Sequence, residues 1–246
     1  ACMVRFGGTC NTYWGEDGKM HVSYTDYEPI LAIPYDMPVP GYQNGVVNTL
    51  RLWSAETGGV GFDFATFSRG DFEKAIESQS AANAITSVLY PDDSTARGKL
   101  LRLKQEYFFT SAGIQSIINS AKKNDVNLYE LHNYVAIHVN DTHPALAVPE
   151  LMRILMDENG MDWDSAWNVT VKTIGYTNHT ILAEALEKWP VSYLEKVVPQ
   201  LMPIIYELDN RIKAKYGNKL IAELSKQMTF DFGKGFDERN LRYMYL

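Results

Sequence analysis

Two short apolar runs, residues 134–138 (YVAIH) and 169–175 (VTVKTIG), are each followed by a polar loop carrying a histidine and then by a helical pattern. This alternation constrains the fold more than any other feature of the chain. After the first run, Pro149 occupies a first-turn position where a missing N–H does no harm, and Leu151, Ile154 and Leu155 give the helix an apolar face. Residues 162–168 read as a further helix, and residues 181–189 as another with Leu182, Ala185, Leu186 and Trp189 inward. Strands alternating with helices imply βαβ units, hence a parallel sheet with right-handed crossovers. Ligands of such sheets sit beyond the carboxyl ends of the strands. The loops found there are NDTHP and YTNHT, so His143 and His179 hold equivalent places in consecutive units.

The first half reads less regularly. Residues 20–33 alternate and then turn apolar, which predicts extended structure, and the proline-rich residues 34–42 predict a fixed, non-helical linker. Residues 46–53 lead into a Gly-Gly loop, after which Ser68 and Asp71, spaced as S-x-x-D, predict the opening of a helix through the low 80s. A second helix is expected from Asn83 to just before Pro91, then the loop PDDSTARG. Residues 99–122 place Leu103, Phe108, Ile114, Ile117 and Ile118 at helical spacing and predict one long helix, weakened at Gly113.

Composition supplies bounds. A 246-residue chain with 46% hydrophobic and 22% charged residues is that of a globular protein, with one large domain, or one and a fragment, expected. No apolar run approaches the ~20 residues of a membrane helix and the start lacks a signal-peptide pattern, so a cytoplasmic location is expected. Cys2 and Cys10 make no disulfide framework and read as free thiols. The net charge of −7 divides into +3 over residues 213–246 and −10 before them, which disfavours polyanion binding by the main body.

Asp141, His143 and His179 admit several readings. A metal site has two imidazoles and a carboxylate available, but no short ligand spacing supports it. A nucleophilic site lacks a partner: there is no G-x-S-x-G elbow, and neither cysteine sits in such a loop. Asp141 or Thr142 capping the following helix, with the histidines satisfying backbone groups, is the plain alternative. A polar cleft for a neutral, hydroxyl-rich ligand is the other, since sugars need convergent donors and acceptors more than charge.

Five segments, NDTHPALAVPELMRIL, YTNHTILAEALEKWP, LAIPYDMPVPGY, VVNTLRLWSA and LYPDDSTARGKLLRLKQEYF, closely resemble segments of the α-glucan (glycogen, starch, maltodextrin) phosphorylases, in that family's order. The resemblance covers residues 4–212. It implies an α/β chain that is an incomplete Rossmann-like first domain of a two-domain, GT-B type glycosyltransferase. It implies an enzyme that cleaves α-1,4-glucans with inorganic phosphate, retains configuration and releases glucose 1-phosphate. The family cofactor is pyridoxal 5′-phosphate on a second-domain lysine, in a region this chain does not contain, so the chain alone is expected to be inactive. By the same resemblance, His179 takes the place of the catalytic-site histidine that contacts the glucosyl unit, with Thr180 beside it. Asp141 and His143 match residues of the neighbouring sugar subsite. Asp93 matches the aspartate of a loop that closes over the site, and Ser94 stands where many relatives have asparagine. The helix from Asp71 matches an element of the family homodimer. Asn119 and Ser120 replace an arginine pair used for nucleotide activation in animal enzymes, which argues against that regulation here. His138 has no role in the motif.

Residues 213–246 differ. Their run LSK…FGKGF…RNLR…M resembles the N-terminal helical domain of an uncharacterised, nuclease-related bacterial family, which implies a helical tail of different origin after the partial domain at 1–212. Leu220, Ile221 and Leu224 mark one helix, and residues 238–244 a second carrying Arg239 and Arg242. A basic helix pair offers an alternative function, as an interaction or nucleic-acid-binding module.

Overall fold

The apolar stripe that begins at Leu103 organises the molecule. In the computed structural model, which describes residues 1–58, 64–179, 187–217 and 226, the stripe lies on a single 28-residue helix, α3 (Ala96–Lys123). At 1.5 Å per residue this helix is about 42 Å long. Leu103, Tyr107, Phe108, Ile114 and Ile118 are buried along it, and Ile117 is half-buried at the stripe's edge. Gly113 does not interrupt it, because the packing of its neighbours outweighs the roughly 1 kcal/mol that glycine costs there. Thr95 caps its start: Oγ1 accepts from the Gly98 N–H at 3.1 Å.

The first half of α3 carries one core. Strands β1 (Cys2–Phe6), β4 (Glu28–Pro40) and β5 (Val47–Thr57) form an antiparallel sheet in the order β1-β4-β5. Val4, Phe6, Ile30, Ala32 and Ala55 are buried against Leu103, Tyr107 and Phe108. A separate antiparallel hairpin joins β2 (Thr9–Trp14) to β3 (Met20–Thr25). Residues 34–42, expected as a linker, instead continue β4 to Pro40, paired with β5 throughout. Three prolines are tolerated there for a geometric reason. The Gly58 and Gly41 contacts show that odd-numbered backbone groups of β4 point towards β5. Pro34, Pro38 and Pro40 are even-numbered and face the other side, where β1 pairs only as far as Ala32. Their missing donors fall on an open edge.

Three other expectations are corrected. The helix expected to break near Asn83 is continuous as α2 (Phe72–Ser87). Ser68 closes the short α1 (Phe64–Ser68), and Asp71 itself is the cap of α2, accepting from the Lys74 N–H at 3.3 Å. The β-branched run from Val169 is helical to Thr173, because Ala166, Val169, Thr170 and Thr173 bury one face at helical spacing. The Thr170 and Thr173 hydroxyls donate to carbonyls four residues back, at 2.8 and 2.7 Å. Tertiary packing overrides strand propensity there.

The second half of α3 carries the other core, with Leu131, Val139, Leu151, Leu155 and Trp163 packed on Ile114 and Ile118. Strand β6 (Ile137–Asn140) leads through α4 (Ala147–Arg153), a single wide turn (Ile154–Glu158) and α5 (Trp163–Thr173) to β7 (Ile174–Thr177). The strands pair parallel, Ile137 opposite Ile174 and Asn140 opposite Thr177, as the alternation predicts. The chain closes with α6 (Val191–Val197) and α7 (Met202–Tyr216), which runs past Ile212. The helix expected over 181–189 and the two tail helices lie largely outside the described residues. Of that stretch, residues 187–189 are described and are not helical.

Candidate functional site

The parallel pair ends at Asn140 and Thr177, and the two loops leave from the same edge. Their first contact is between backbones: the Asp141 N–H donates to the Thr177 carbonyl at 2.9 Å. Asp141 sits at φ +61°, a left-handed conformation that Asp and Asn tolerate better than most residues. That turn aims its carboxylate at the second loop, where Oδ1 accepts from the His179 N–H at 3.2 Å. The His179 ring closes the link through a short contact of Nε2 with Asn140 Oδ1. His138, two residues before Asn140 on β6, bonds Thr177 Oγ1 at 2.6 Å and so ties the strands together.

Helix capping is not what Asp141 or Thr142 does. The start of α4 has no side-chain cap; the turn is closed by backbone bonds, Ala145 N–H to Thr142 O at 3.0 Å and Ala147 N–H to Pro144 O at 2.9 Å. This leaves the Asp141 carboxylate for the loop-to-loop bond and leaves His143 half-open. The His143 ring meets Tyr90 edge-on with centroids 6.3 Å apart, and its Nε2 lies 4.0 Å from Glu187 Oε1.

These residues border a cavity of about 510 Å³, whose wall includes Tyr90, Arg102, Glu106, Asn140, Asp141 and His143. That volume falls within the roughly 300–1,000 Å³ usual for small-molecule sites. His179 is not a wall residue itself; it touches the cavity's rim through Asn140 and Asp141. Thr180 lies outside the described residues. Asp93 is held in the loop before α3 by Arg102 Nη1 at 2.9 Å. Ser94 turns back on its own loop, its N–H and Oγ both donating to Asp92, at 2.9 and 3.0 Å.

Arg102, Glu106 and Glu187 were not singled out by sequence reasoning. One signal was there: Arg102 and Glu106 are four apart within LRLKQEYF, the spacing that puts an Arg and a Glu on one helix face. Arg102 Nε reaches Glu106 Oε1 at 3.4 Å, and Nη2 makes a short contact with Glu187 Oε1. Burial pushes the Glu106 carboxyl up to about 8, and the adjacent Glu187 adds to this more than Arg102 takes away. The free thiols are also pushed up by burial, at Cys2 and Cys10. Among the described residues, no group of three His, Cys, Asp or Glu side chains is placed to hold a metal, and no helix is long and apolar enough to cross a membrane.

The family model for carbohydrate phosphorylases matches residues 1–243. The chain belongs to the carbohydrate phosphorylase family. It is 43% identical to glycogen phosphorylase 2 of Dictyostelium discoideum over 243 residues, 99% of this chain and 24% of that protein. It is 46% identical to a Bacillus subtilis glycogen phosphorylase over 81% of this chain and 25% of the relative. It is 50% identical to the human muscle form over 80% of this chain and 24% of the relative. The chain thus spans about a quarter of the length of these relatives. The family match and the Dictyostelium alignment both continue past Ile212, and they do not favour the nucleic-acid reading of residues 213–246.

The cavity residues do not fit pyridoxal 5′-phosphate. No lysine is among its described wall residues, and its one guanidinium is already engaged by three carboxylates. The described wall therefore supplies neither an amine for an imine nor a free cation for a phosphate ester.

Proposed function

We propose that this chain forms the sugar-binding wall of an α-1,4-glucan phosphorylase, a two-domain GT-B glycosyltransferase that uses inorganic phosphate and releases glucose 1-phosphate. The observation that carries this is the meeting of Asn140, Asp141, His143 and His179 at the carboxyl ends of β6 and β7, beside one cavity to which they supply polar groups. An amide, a carboxylate and imidazoles together donate and accept in several directions, which suits hydroxyl groups. In this reading His179 contacts the glucosyl unit at the cleavage site with Thr180 beside it, while Asp141 and His143 line the next subsite. Asp93 and Ser94 belong to a gate loop, and pyridoxal 5′-phosphate and the phosphate-binding cations come from a part of the protein outside this chain. The intact enzyme acts as a homodimer.

Titration of the 246-residue chain with maltooligosaccharide, followed by amide NMR, tests the sugar wall. Shifts should cluster at residues 140–143 and 179. His143→Ala should weaken binding about fivefold or more, as should Asp141→Asn, which keeps the left-handed turn while removing the charge; the loss of one hydrogen bond to a ligand is worth about that much. Shifts centred elsewhere, or unchanged affinity in both variants, would overturn the assignment.

A further inference from the structure

Arg102 is one cation faced by three carboxylates of unequal burial. The Glu106 and Glu187 side chains are 10% and 11% exposed, whereas Asp93 is 49% exposed. Two nearly buried carboxylates against one guanidinium leave an uncompensated negative charge, a costly arrangement away from water. The hydrogen bonding shows the same surplus. Glu106 Oε2 accepts from Trp189 Nε1 at 3.1 Å, but among the described residues Glu187 Oε2 is buried with no donor, and the two carboxylates are gathered on Nε and Nη2 of the same guanidinium. The other described groups facing the pair are His143 from the loop after β6 and Tyr90, whose ring lies 5.9 Å below the Arg102 guanidinium. Neither donates to Glu187 Oε2.

We propose that Glu106 and Glu187 share one proton, and that Arg102 couples this proton to the position of the Asp93 loop. With the proton in place, one carboxylate is neutral, the guanidinium has charge to spare, and Asp93 is held. When the proton leaves, two buried anions take the guanidinium, and the weakest partner, the half-exposed Asp93, is released. No bond other than the O–H is made or broken; the proton passes to solvent. The Glu106 carboxyl, weakened as an acid by burial and pushed up to about 8, places the transition just above neutral pH. Any effect on glucan entry rests on the gate reading of the loop given above, but the coupling itself does not.

Carboxyl ¹³C NMR of the full chain between pH 5 and about 9.5 reads the proton, and ¹⁵N relaxation at residues 92–95 reads the loop. The expected result is one glutamate titrating near 8, accompanied in the same window by increased mobility at residues 92–95. The population of the Arg102–Asp93 contact should fall roughly two- to fivefold, the range of a half-exposed ion pair. Glu106→Gln should hold the loop ordered at all pH values, Arg102→Gln should free it at all pH values, and His143→Asn should leave the transition in place. The proposal is overturned if no glutamate titrates above about pH 6.5, if the loop does not follow it, or if Glu106→Gln keeps the transition. Should Glu106→Gln fail to fold, Glu187→Gln substitutes, and the wild-type carboxyl titration still decides. A pH-coupled loop without maltooligosaccharide binding would leave the coupling standing and remove the sugar-wall reading; binding with a pH-independent loop would do the reverse.

Discussion

Glu150, on α4, is the buried charge on which the packing of α3, α4 and the segment after α6 depends. Its carboxylate is 0% exposed and accepts four bonds: Arg153 Nε at 2.8 Å and Nη2 at 3.0 Å, Tyr107 Oη at 3.0 Å and Ser111 Oγ at 2.6 Å. Gln200 Nε2 extends the network by donating to Tyr107 Oη at 3.0 Å. Glu150→Ala strands the guanidinium of Arg153, which is 7% exposed, and leaves two hydroxyls without their acceptor. Breaking a buried pair in this way costs about 3–5 kcal/mol. Arg153 keeps Glu158 through Nη1 at 2.9 Å, and Glu158 is half-exposed, so the lower end of that range applies. The double variant Glu150→Leu with Arg153→Met removes both charges and fills the space with apolar side chains. The hydroxyls of Tyr107 and Ser111 then lose a partner each, at about 1 kcal/mol apiece, so the double variant should be more stable than the single one. Urea unfolding of the full chain, with an unchanged m-value, measures both. A single variant costing less than about 1 kcal/mol, or a double variant no better than the single, would refute the view that an uncompensated buried cation is the source of the loss.

Gly98 lies where α3 starts, and a Cβ there would come within 1.8 Å of the Asp92 carbonyl oxygen. Gly98→Ala should therefore cost about 1–3 kcal/mol and shift the amide resonances of residues 91–95; a neutral or stabilising effect would contradict the packing of that loop. Asp162 caps α5, its carboxylate accepting from the Ser165 N–H at 2.9 Å and Oγ at 2.7 Å, and these bonds hold its carboxyl below the usual range. Asp162→Ala should cost about 1 kcal/mol at neutral pH. Because the folded-state value is depressed, that contribution is fully present above the unfolded value of 3.8 and is lost as pH falls from there through the lower folded value, so thermal melts of the two proteins should converge in strong acid. Incubation of the 246-residue chain with glucan, phosphate and pyridoxal 5′-phosphate should release no glucose 1-phosphate above background. Product formation would show that the cations assigned to the absent part of the protein are not needed.

The parallel pair was legible because its two short strands and polar loops recur around helices, and a period of that kind survives local errors in element boundaries. The boundaries themselves were not legible where propensity and packing disagree. Val169 to Thr173 is β-branched at four of its five positions, and yet helical, since the buried face formed with Ala166 is a property of the tertiary fold. The prolines of β4 read as a linker because sequence does not say which side of a strand is an open edge; only the length of β1 decides that. The site divides along the same line. His143, Asp141 and His179 are local to the strand ends, and their loops announce them. Glu187 and Glu106 are 81 positions apart in the chain and become a pair only when α3 and the segment leading to Trp189 meet around Arg102. A lone glutamate on a helix face carries no mark of a buried like-charged neighbour. The groups that make this cavity chemically distinctive were therefore the ones that the linear pattern was least able to disclose, and the loop aspartate tied to them, Asp93, is the point at which the legible and the hidden parts of the site join.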